Sequence, residues 1–354
     1  MRIDDTTDPE AGAGSMEARV RLSDVAKAAG VSAATVSRVL RRPELVSPGV
    51  RERILGVIEE LGYFANPAAR ALASARTNVI GILIPSLTNN VFADVLRGIY
   101  SVAQDSPYDL QFANTRYSNL EEENLLRVFL SQKPAGLIVT GTDQSPASRT
   151  LLKQASCPVV QIMETGDDPV DMMVGFSHVR SAHAATAHLV GQGYRSIAFL
   201  GARMDPRTRR RMQGYSRALE EAGLFDERLI VTTPRSSTVT LGCELLGLLL
   251  EKELNADAVF CNNDDLALGV LFECQRRRIA VPSQMGICGF NDLEMMAVAN
   301  PPVSSIRTFR QEMGEQAIRM LIDRIEGRAV TTPLLDLGFE LMVRQSSQRQ
   351  LPPL

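Results

Sequence analysis

The clearest periodicity in the chain lies between Arg21 and Leu40. Apolar positions Leu22, Val25, Ala26 and Ala29 recur at helical spacing, Gly30 breaks the pattern, and a second run comes next with Val31, Val36, Val39 and Leu40. Two short helices joined by a tight turn containing Gly predict a helix-turn-helix. Ser23 and Ser32 stand where a side-chain oxygen caps the free N–H groups of each helix start. Ser47-Pro48 opens a third helix whose stripe is Val50, Ile54, Val57, Ile58 and Leu61, and Gly62 ends it. These three helices share one small core. The plainer alternative is an amphipathic hairpin that packs on some other element.

The next stretch, FANPAARALASARTNVIG, is Ala-rich and too weakly apolar to hold a core. Pro67 can open a helix over 68–73, which is marginal alone at about two turns. Such a segment folds when packed on a partner or DNA; otherwise it is a linker.

From Asn78 the texture changes. Continuous apolar runs (VIGILIPS, AGLIVTG, PVVQIME, SIAFLGAR, ADAVFCNN, MGICGFND) alternate with amphipathic helical segments. This predicts parallel sheets covered by helices on both faces, arranged as two consecutive doubly wound units that meet near 173–176. Ligands of such folds bind at the carboxyl ends of the strands, in the crevice between units. Those ends read PSLTNN, TGTDQ, GARMDPRTRRR, CNNDD and GFND. Asn89, Asn90, Asn263 and Asn291 offer amides, and Asp205, Asp264, Asp265 and Asp292 accept from hydroxyls. Arg203, Arg207 and Arg211 can grip a carboxylate bidentately. Phe92 and Phe176 offer apolar faces. The set suits a small, polyhydroxylated anion, although any one of these residues, Asp264 or Asp265 above all, can serve only as a helix cap.

Charge sharpens the division. The chain of 354 residues carries a net charge of −3, with residues 19–76 at +5 and the segments on either side each at −4. A basic excess confined to the helix-turn-helix, the third helix and the Ala-rich stretch is what a phosphate-binding module requires. The acidic stretch 1–18 lacks an apolar core and reads as a disordered tail rather than a secretory signal. No apolar run is long enough to span a bilayer. The five cysteines are scattered without a C-x-x-C, which suggests neither a disulfide framework nor a zinc site and fits a reducing cytoplasm. His178, His183 and His188 are spaced by five, so on a helix each turns about 140° from the last and no metal face forms. No cofactor or metal is expected. G-x-x-x-x-G-K-[ST], G-x-G-x-x-G and G-x-S-x-G are all absent, and no histidine sits at a strand end beside a nucleophile, so an enzyme is not expected.

The order of helix-turn-helix, short hinge and two α/β units resembles the lactose-repressor (LacI/GalR) family of bacterial transcription regulators over about Arg21 to Ser346. The motifs that carry this are DVAKAAGVSAATVSRVL, ELGYFANPAARALAS and VFCNNDDLALG. Within the family the chain is most similar to gluconate repressors, through PSLTNNVFADVLRGI, GARMDPRTRRRMQGY, FCNNDDLALG with FECQR, and LLDLGF. The resemblance implies an N-terminal three-helix helix-turn-helix headpiece (19–62) after the 1–18 tail, then a hinge helix or linker (63–77). A periplasmic-binding-protein-like α/β effector domain of two doubly wound lobes comes next (78–346), with a tail at 347–354. The first lobe is expected at about 78–174 with 305–328, and the second at about 175–304 with 329–346.

The resemblance also implies a cytoplasmic homodimer on a pseudo-palindromic operator. Ser32, Ala33, Ala34, Thr35, Ser37 and Arg38 of the recognition helix would meet DNA, together with Asn66, Ala69 and Leu72 of the hinge, Leu72 as a minor-groove wedge. Ala33 and Ala34 occupy the main base-reading positions and are too short for bidentate base bonds. Asn90, Phe92, Phe176, Arg211, Asn263 and Asn291 are expected at the effector. Arg203 and Arg207 are candidates for its carboxylate. Relatives commonly carry Asp where this chain has Asn291, which removes a negative charge and favours a sugar acid. Expected, then, is a repressor of sugar-acid uptake and catabolism genes released by gluconate or a relative of it. Another sugar or a purine as effector, an activator role, and a tetramer stay open. A transport-type sugar-binding protein would share the lobes but not the DNA-binding headpiece.

Overall fold

The computed structural model describes residues 20–41, 43–64 and 77–349. The expected 1–18 tail, most of the 63–77 hinge with Asn66, Ala69 and Leu72, and residues 350–354 lie outside these. The chain divides into two compact units, one up to Ala75 and one from Arg76.

The first unit holds three helices, α1 (Leu22–Ala28), α2 (Ala33–Arg41) and α3 (Pro48–Glu60). Val25, Ala26, Ala29, Val36, Val39 and Ile54 close its core. Gly30 supplies the left-handed backbone, at φ +63°, that the turn between α1 and α2 needs. The second cap is where Ser32 places it: its hydroxyl accepts from Thr35 N at 3.1 Å. The first is not. The helix begins two residues earlier than Ser23 implies, with Arg21 at the cap position, and the Asp24 carboxylate accepts from Arg21 N at 2.8 Å. An ionised carboxylate is the stronger acceptor at a helix N-terminus.

The second unit contains two sheets. The first is ordered β11-β5-β4-β3-β1-β2, from β1 (Val79–Ile84), β2 (Asp109–Asn114), β3 (Gly136–Thr140), β4 (Val159–Ile162), β5 (Met172–Gly175) and β11 (Leu334–Asp336). The second is ordered β12-β10-β9-β8-β6-β7, from β6 (Ile197–Ala202), β7 (Ile230–Thr233), β8 (Ala258–Cys261), β9 (Gly286–Asn291), β10 (Ser304–Arg307) and β12 (Glu340–Met342). All pairings are parallel except the edge pair β10/β12. β1, β4, β8 and β9 are buried almost throughout, which is why they read as continuous apolar runs rather than alternating ones.

The chain passes between lobes three times, after β5, between β10 and the helix Arg310–Ile325, and between β11 and β12. That helix packs on the first sheet beside the helix Asn90–Ala103, where Gly98 and Gly314 let the two backbones approach. Two expected boundaries shift. Residues 305–307 belong to the second sheet. The 329–346 segment is shared, with Leu334–Asp336 in the first lobe and Glu340–Met342 in the second. Strands of three residues are too short to show a period, so LLDLGF carried no strand signal. The 347–354 tail also begins later: Ser347 is buried, and Arg349 lies over the Tyr194 ring at 5.0 Å and pairs with Asp257 at 3.2 Å. Among the described residues no helix is long and apolar enough to cross a membrane.

Candidate functional site

In the first unit the outer face of α2 is the candidate nucleic-acid surface. Val36 and Val39 point into the core, while Ser32, Ala33, Ala34 and Arg38 are exposed and Thr35 and Ser37 half-buried. Ser32 and Thr35 share a hydroxyl hydrogen bond of 2.8 Å. Arg38 is therefore the one long cationic side chain among the expected contacts of α2.

In the second unit the carboxyl ends of the strands of both lobes enclose two adjoining cavities. The larger, about 410 Å³, is lined from the first lobe by Thr115, Tyr117, Glu122, Thr140 and Asp143, and from the second by Arg203 to Arg207 and Arg209. The smaller, about 50 Å³, adds Asn89, Phe92, Met163, Thr208, Arg211, Ser237, Asn262, Asn263 and Asn291. Tyr117, Arg203, Asp205 and Arg207 border both.

The arginines come from one short segment. Pro206 opens the helix Pro206–Glu221, and Asp205 caps it by accepting from Thr208 N at 2.9 Å. Arg207 and Arg211, four residues apart, project from one face of its first turns, where the helix dipole adds positive potential. Burial pushes the Asp205 carboxyl up, but Arg207, the Thr208 N–H and Arg211 outweigh it and hold the group below its ordinary value. Arg207 pairs with it at 3.4 Å.

Arg211 is different. It is 7 % exposed and its contacts are neutral: Nε donates to His178 Nδ1 at 3.2 Å, Nη1 to the Asn262 carbonyl, and the guanidinium lies 3.8 Å over the Phe290 ring. Burial, with Arg207 adding to it, pushes Arg211 down to about 10 even though Asp205 acts the other way. His178 is fully buried and held well below its usual value by burial and then by Arg211 and Arg207, so its imidazole is neutral. With Nδ1 accepting, Nε2–H donates to the Met163 carbonyl at 2.9 Å. Its 3.6 Å approach to Glu164 is therefore no ion pair. Glu164 answers instead to Arg210, at 2.9 Å, across the lobes. Burial outweighs that pairing and pushes Glu164 up to about 7.

Phe92, Arg203, Arg207, Arg211, Asn263 and Asn291 all border the cavities. Asn263 Oδ1 caps Leu266 N at 3.1 Å, leaving its amide N–H groups toward the cavity. Asn291 is 3 % exposed, and its Oδ1 has no hydrogen-bond partner. Its backbone sits at φ +114° and its carbonyl accepts from Arg310. Asn90 and Phe176 are not in the lining. Asn90 is exposed at the first position of its helix, and its neighbour Asn89 faces the cavity while capping Val91 N at 3.0 Å. Phe176 is buried edge-on to His178 at 4.4 Å and beside Phe290 at 6.2 Å, so it backs the ring that carries Arg211.

Other acids are occupied elsewhere. Asp264 accepts from Ser305 Oγ at 2.6 Å and Leu293 N at 2.7 Å, while Asp292 pairs with Arg307 and Arg344. Burial pushes Asp264 up to about 6. Among the described residues no His, Cys, Asp and Glu cluster could hold a metal.

Three lining residues carried too weak a signal to single out from the sequence. Asn262, next to Asn263, ties the ends of β6 and β8 by accepting from Ala202 N at 3.2 Å and donating to Thr208 Oγ1 at 3.0 Å. Glu122 is pushed up to about 7 by burial and then by Asp143, and one of its oxygens is buried without a partner. Tyr117 comes after β2 in the sequence TRYSN. Extending the strand-end rule to β2 would have found it.

Residues 21–66 match the family model described as bacterial regulatory proteins, lacI family, and residues 186–347 match the periplasmic binding protein-like domain. The chain is 41 % identical over 329 residues to the HTH-type transcriptional regulator GntR of Pseudomonas aeruginosa, covering 93 % of this chain and 96 % of that protein. Among solved structures it is similar to a LacI-family transcriptional regulator from Silicibacter pomeroyi, with 35 % identity, a TM-score of 0.87, and coverage of 93 % of this chain and 100 % of that one. It is also similar to the transcription regulator GntR from Chromobacterium violaceum, with 38 % identity, a TM-score of 0.74, and coverage of 76 % and 99 %.

Proposed function

The chain belongs to the LacI family of DNA-binding transcriptional repressors, and on that premise we propose that its effector is a sugar acid, gluconate or a close relative, whose arrival in the cleft between the lobes releases the operator. The observation that carries this is the state of Arg211. A buried guanidinium in contact only with neutral groups and an aromatic face is a cation waiting for an anion. Arg203, likewise without a carboxylate in ion-pair contact among the described residues, borders the same space. The free Oδ1 of Asn291 and the amide of Asn263 supply an acceptor and donors for hydroxyl groups. A carboxylate on one end and hydroxyls along the chain answer all of these at once. The resemblance to gluconate repressors points the same way.

The protein acts in the cytoplasm as a homodimer on a pseudo-palindromic operator, with α2 in the major groove. Ala33 and Ala34 contact thymine methyl groups at most, so Thr35, Ser37, Arg38 and operator shape carry more of the specificity. Asn66, Ala69 and Leu72 of the hinge add minor-groove contacts. Ligand closes the lobes, and the closed form holds operator less tightly. The ligand shifts operator binding only by its differential affinity for the two forms, typically by about 5- to 150-fold. Fluorescence anisotropy of labelled operator with the full chain tests this. Added gluconate should lower operator affinity within that range. Unchanged affinity with gluconate, ketogluconate and phosphogluconate would sink the effector assignment.

A further inference from the structure

Two residues that meet across the cleft are both held in backbone conformations that side chains other than Gly seldom adopt. Tyr117, after β2 of the first lobe, has φ +58°, and Arg203, after β6 of the second, has φ +67°. Their side chains are stacked, with the Arg203 guanidinium carbon 3.9 Å from the centre of the Tyr117 ring; Arg207 lies farther out at 5.8 Å. The Tyr117 hydroxyl is fixed in turn, accepting from Asn89 Nδ2 at 3.3 Å. Asn89 is itself fixed as a helix cap. Both Tyr117 and Arg203 border both cavities. Strain of this kind gathers where a fold must aim particular side chains.

We infer that Tyr117 is a positioning residue for effector binding. Its ring is the platform on which the Arg203 guanidinium is laid flat, so that its N–H edge is presented to the effector's carboxylate. This goes deeper into the sugar-acid reading and rests on it. A flexible arginine loses side-chain freedom on binding; one already stacked on a ring loses less. The stack also joins one lobe to the other, so the carboxylate site is complete only when the lobes bring Tyr117 and Arg203 together.

The test is calorimetric titration of the full chain with gluconate, in five proteins: the wild type, Tyr117→Asn, Tyr117→Phe, Arg203→Ala and the Arg203→Ala, Tyr117→Asn double variant. Tyr117→Asn deletes the ring and suits the left-handed backbone, where Asn is better tolerated than Tyr, so the fold should not lose stability from the backbone. It should raise the gluconate Kd by about 5- to 30-fold, in line with the loss of a partly desolvated cation–π contact. Tyr117→Phe keeps the ring and should stay within about threefold of the wild type. In an Arg203→Ala background, Tyr117→Asn should have no further effect, because the platform then has nothing to hold. A merely structural role would instead give the same loss in both backgrounds, and that result overturns the inference. So does a Tyr117→Asn protein that binds gluconate as the wild type does. If that variant fails to fold, Tyr117→Leu, which keeps apolar bulk without a π face, takes its place with the same expectations. A wild-type chain that ignores gluconate overturns the effector reading and this inference together. One that binds gluconate but is indifferent to Tyr117 overturns this inference alone.

Discussion

The two lobes bring opposite chemistry to one cleft. The second lobe supplies the cations and most of the amides: Arg203, Arg207 and Arg211 from a nine-residue stretch, with Asp205 between them paired to Arg207, and Asn262, Asn263 and Asn291 from neighbouring strand ends. The first lobe supplies faces and acids: Phe92, Tyr117 and Met163, with Glu122 and Asp143. Both set left-handed residues at the rim, among them Tyr117 and Met163 on one side and Arg203, Met204 and Asn291 on the other, each costing on the order of 1–3 kcal/mol. The contrast teaches a division of labour. On the sugar-acid reading proposed above, the second lobe reads ligand charge and the first, through Tyr117, orients the Arg203 that reads it; a ligand that needs residues of both lobes favours the conformation that brings them together.

The largest expected effect tests the second lobe's share. Arg211→Met removes the cation that lacks an acidic partner, and gluconate affinity should fall about 100-fold or more, as for a buried charged hydrogen-bonding group. The unfolding temperature should stay near that of the wild type, since a desolvated charge leaves the core while the His178 Nδ1 and Asn262 carbonyl lose a donor. A variant that binds normally, or that melts far below the wild type, would break the view of Arg211 as a cation kept unpaired for the ligand.

A smaller effect should come from Asn291→Asp, which exchanges an uncharged amide for a carboxylate of nearly the same shape. A new carboxylate facing the anion's site should weaken gluconate by about tenfold while leaving neutral polyols unaffected. Competition measurements with both ligand types separate charge repulsion from lost shape. Equal losses for both would mean that Asn291 fills space rather than setting charge.

The smallest effect concerns Glu164, which the second lobe's Arg210 holds at 2.9 Å. Folded Glu164 keeps its proton up to about 7, whereas the unfolded carboxyl releases it near 4.5. The folded protein therefore binds the extra proton between those values, and its stability falls as pH rises across that window. Urea unfolding at pH 5 and pH 8 should show Glu164→Gln reducing this fall, by an amount of order 1 kcal/mol. An unchanged pH slope would place the titration elsewhere.

The fold was largely legible because burial on both faces writes strands as unbroken apolar runs, and because Gly30 and Pro48 mark helix boundaries. The short edge strands Leu334–Asp336 and Glu340–Met342 were not, since three residues define no period. In the site, the arginines announced themselves by spacing on one helix. A helix start was harder to place to the residue, which is why Asn89 rather than Asn90 faces the cavity. Phe176 looked like a ligand face but backs another ring, because aromatic character alone does not say which side of a core it occupies. Tyr117 lies in a loop after a half-polar strand, where the strand-end rule reaches it, but its stacking on Arg203 is visible only in three dimensions.

Calorimetric titration of the full chain with gluconate and, in parallel, with sorbitol tests the central claim most directly, since these two open-chain polyols differ only in a carboxylate against a CH2OH group. Gluconate should bind, and sorbitol should bind at least about tenfold more weakly, the loss of one charged hydrogen-bonded group. Sorbitol binding as tightly as gluconate would contradict the claim.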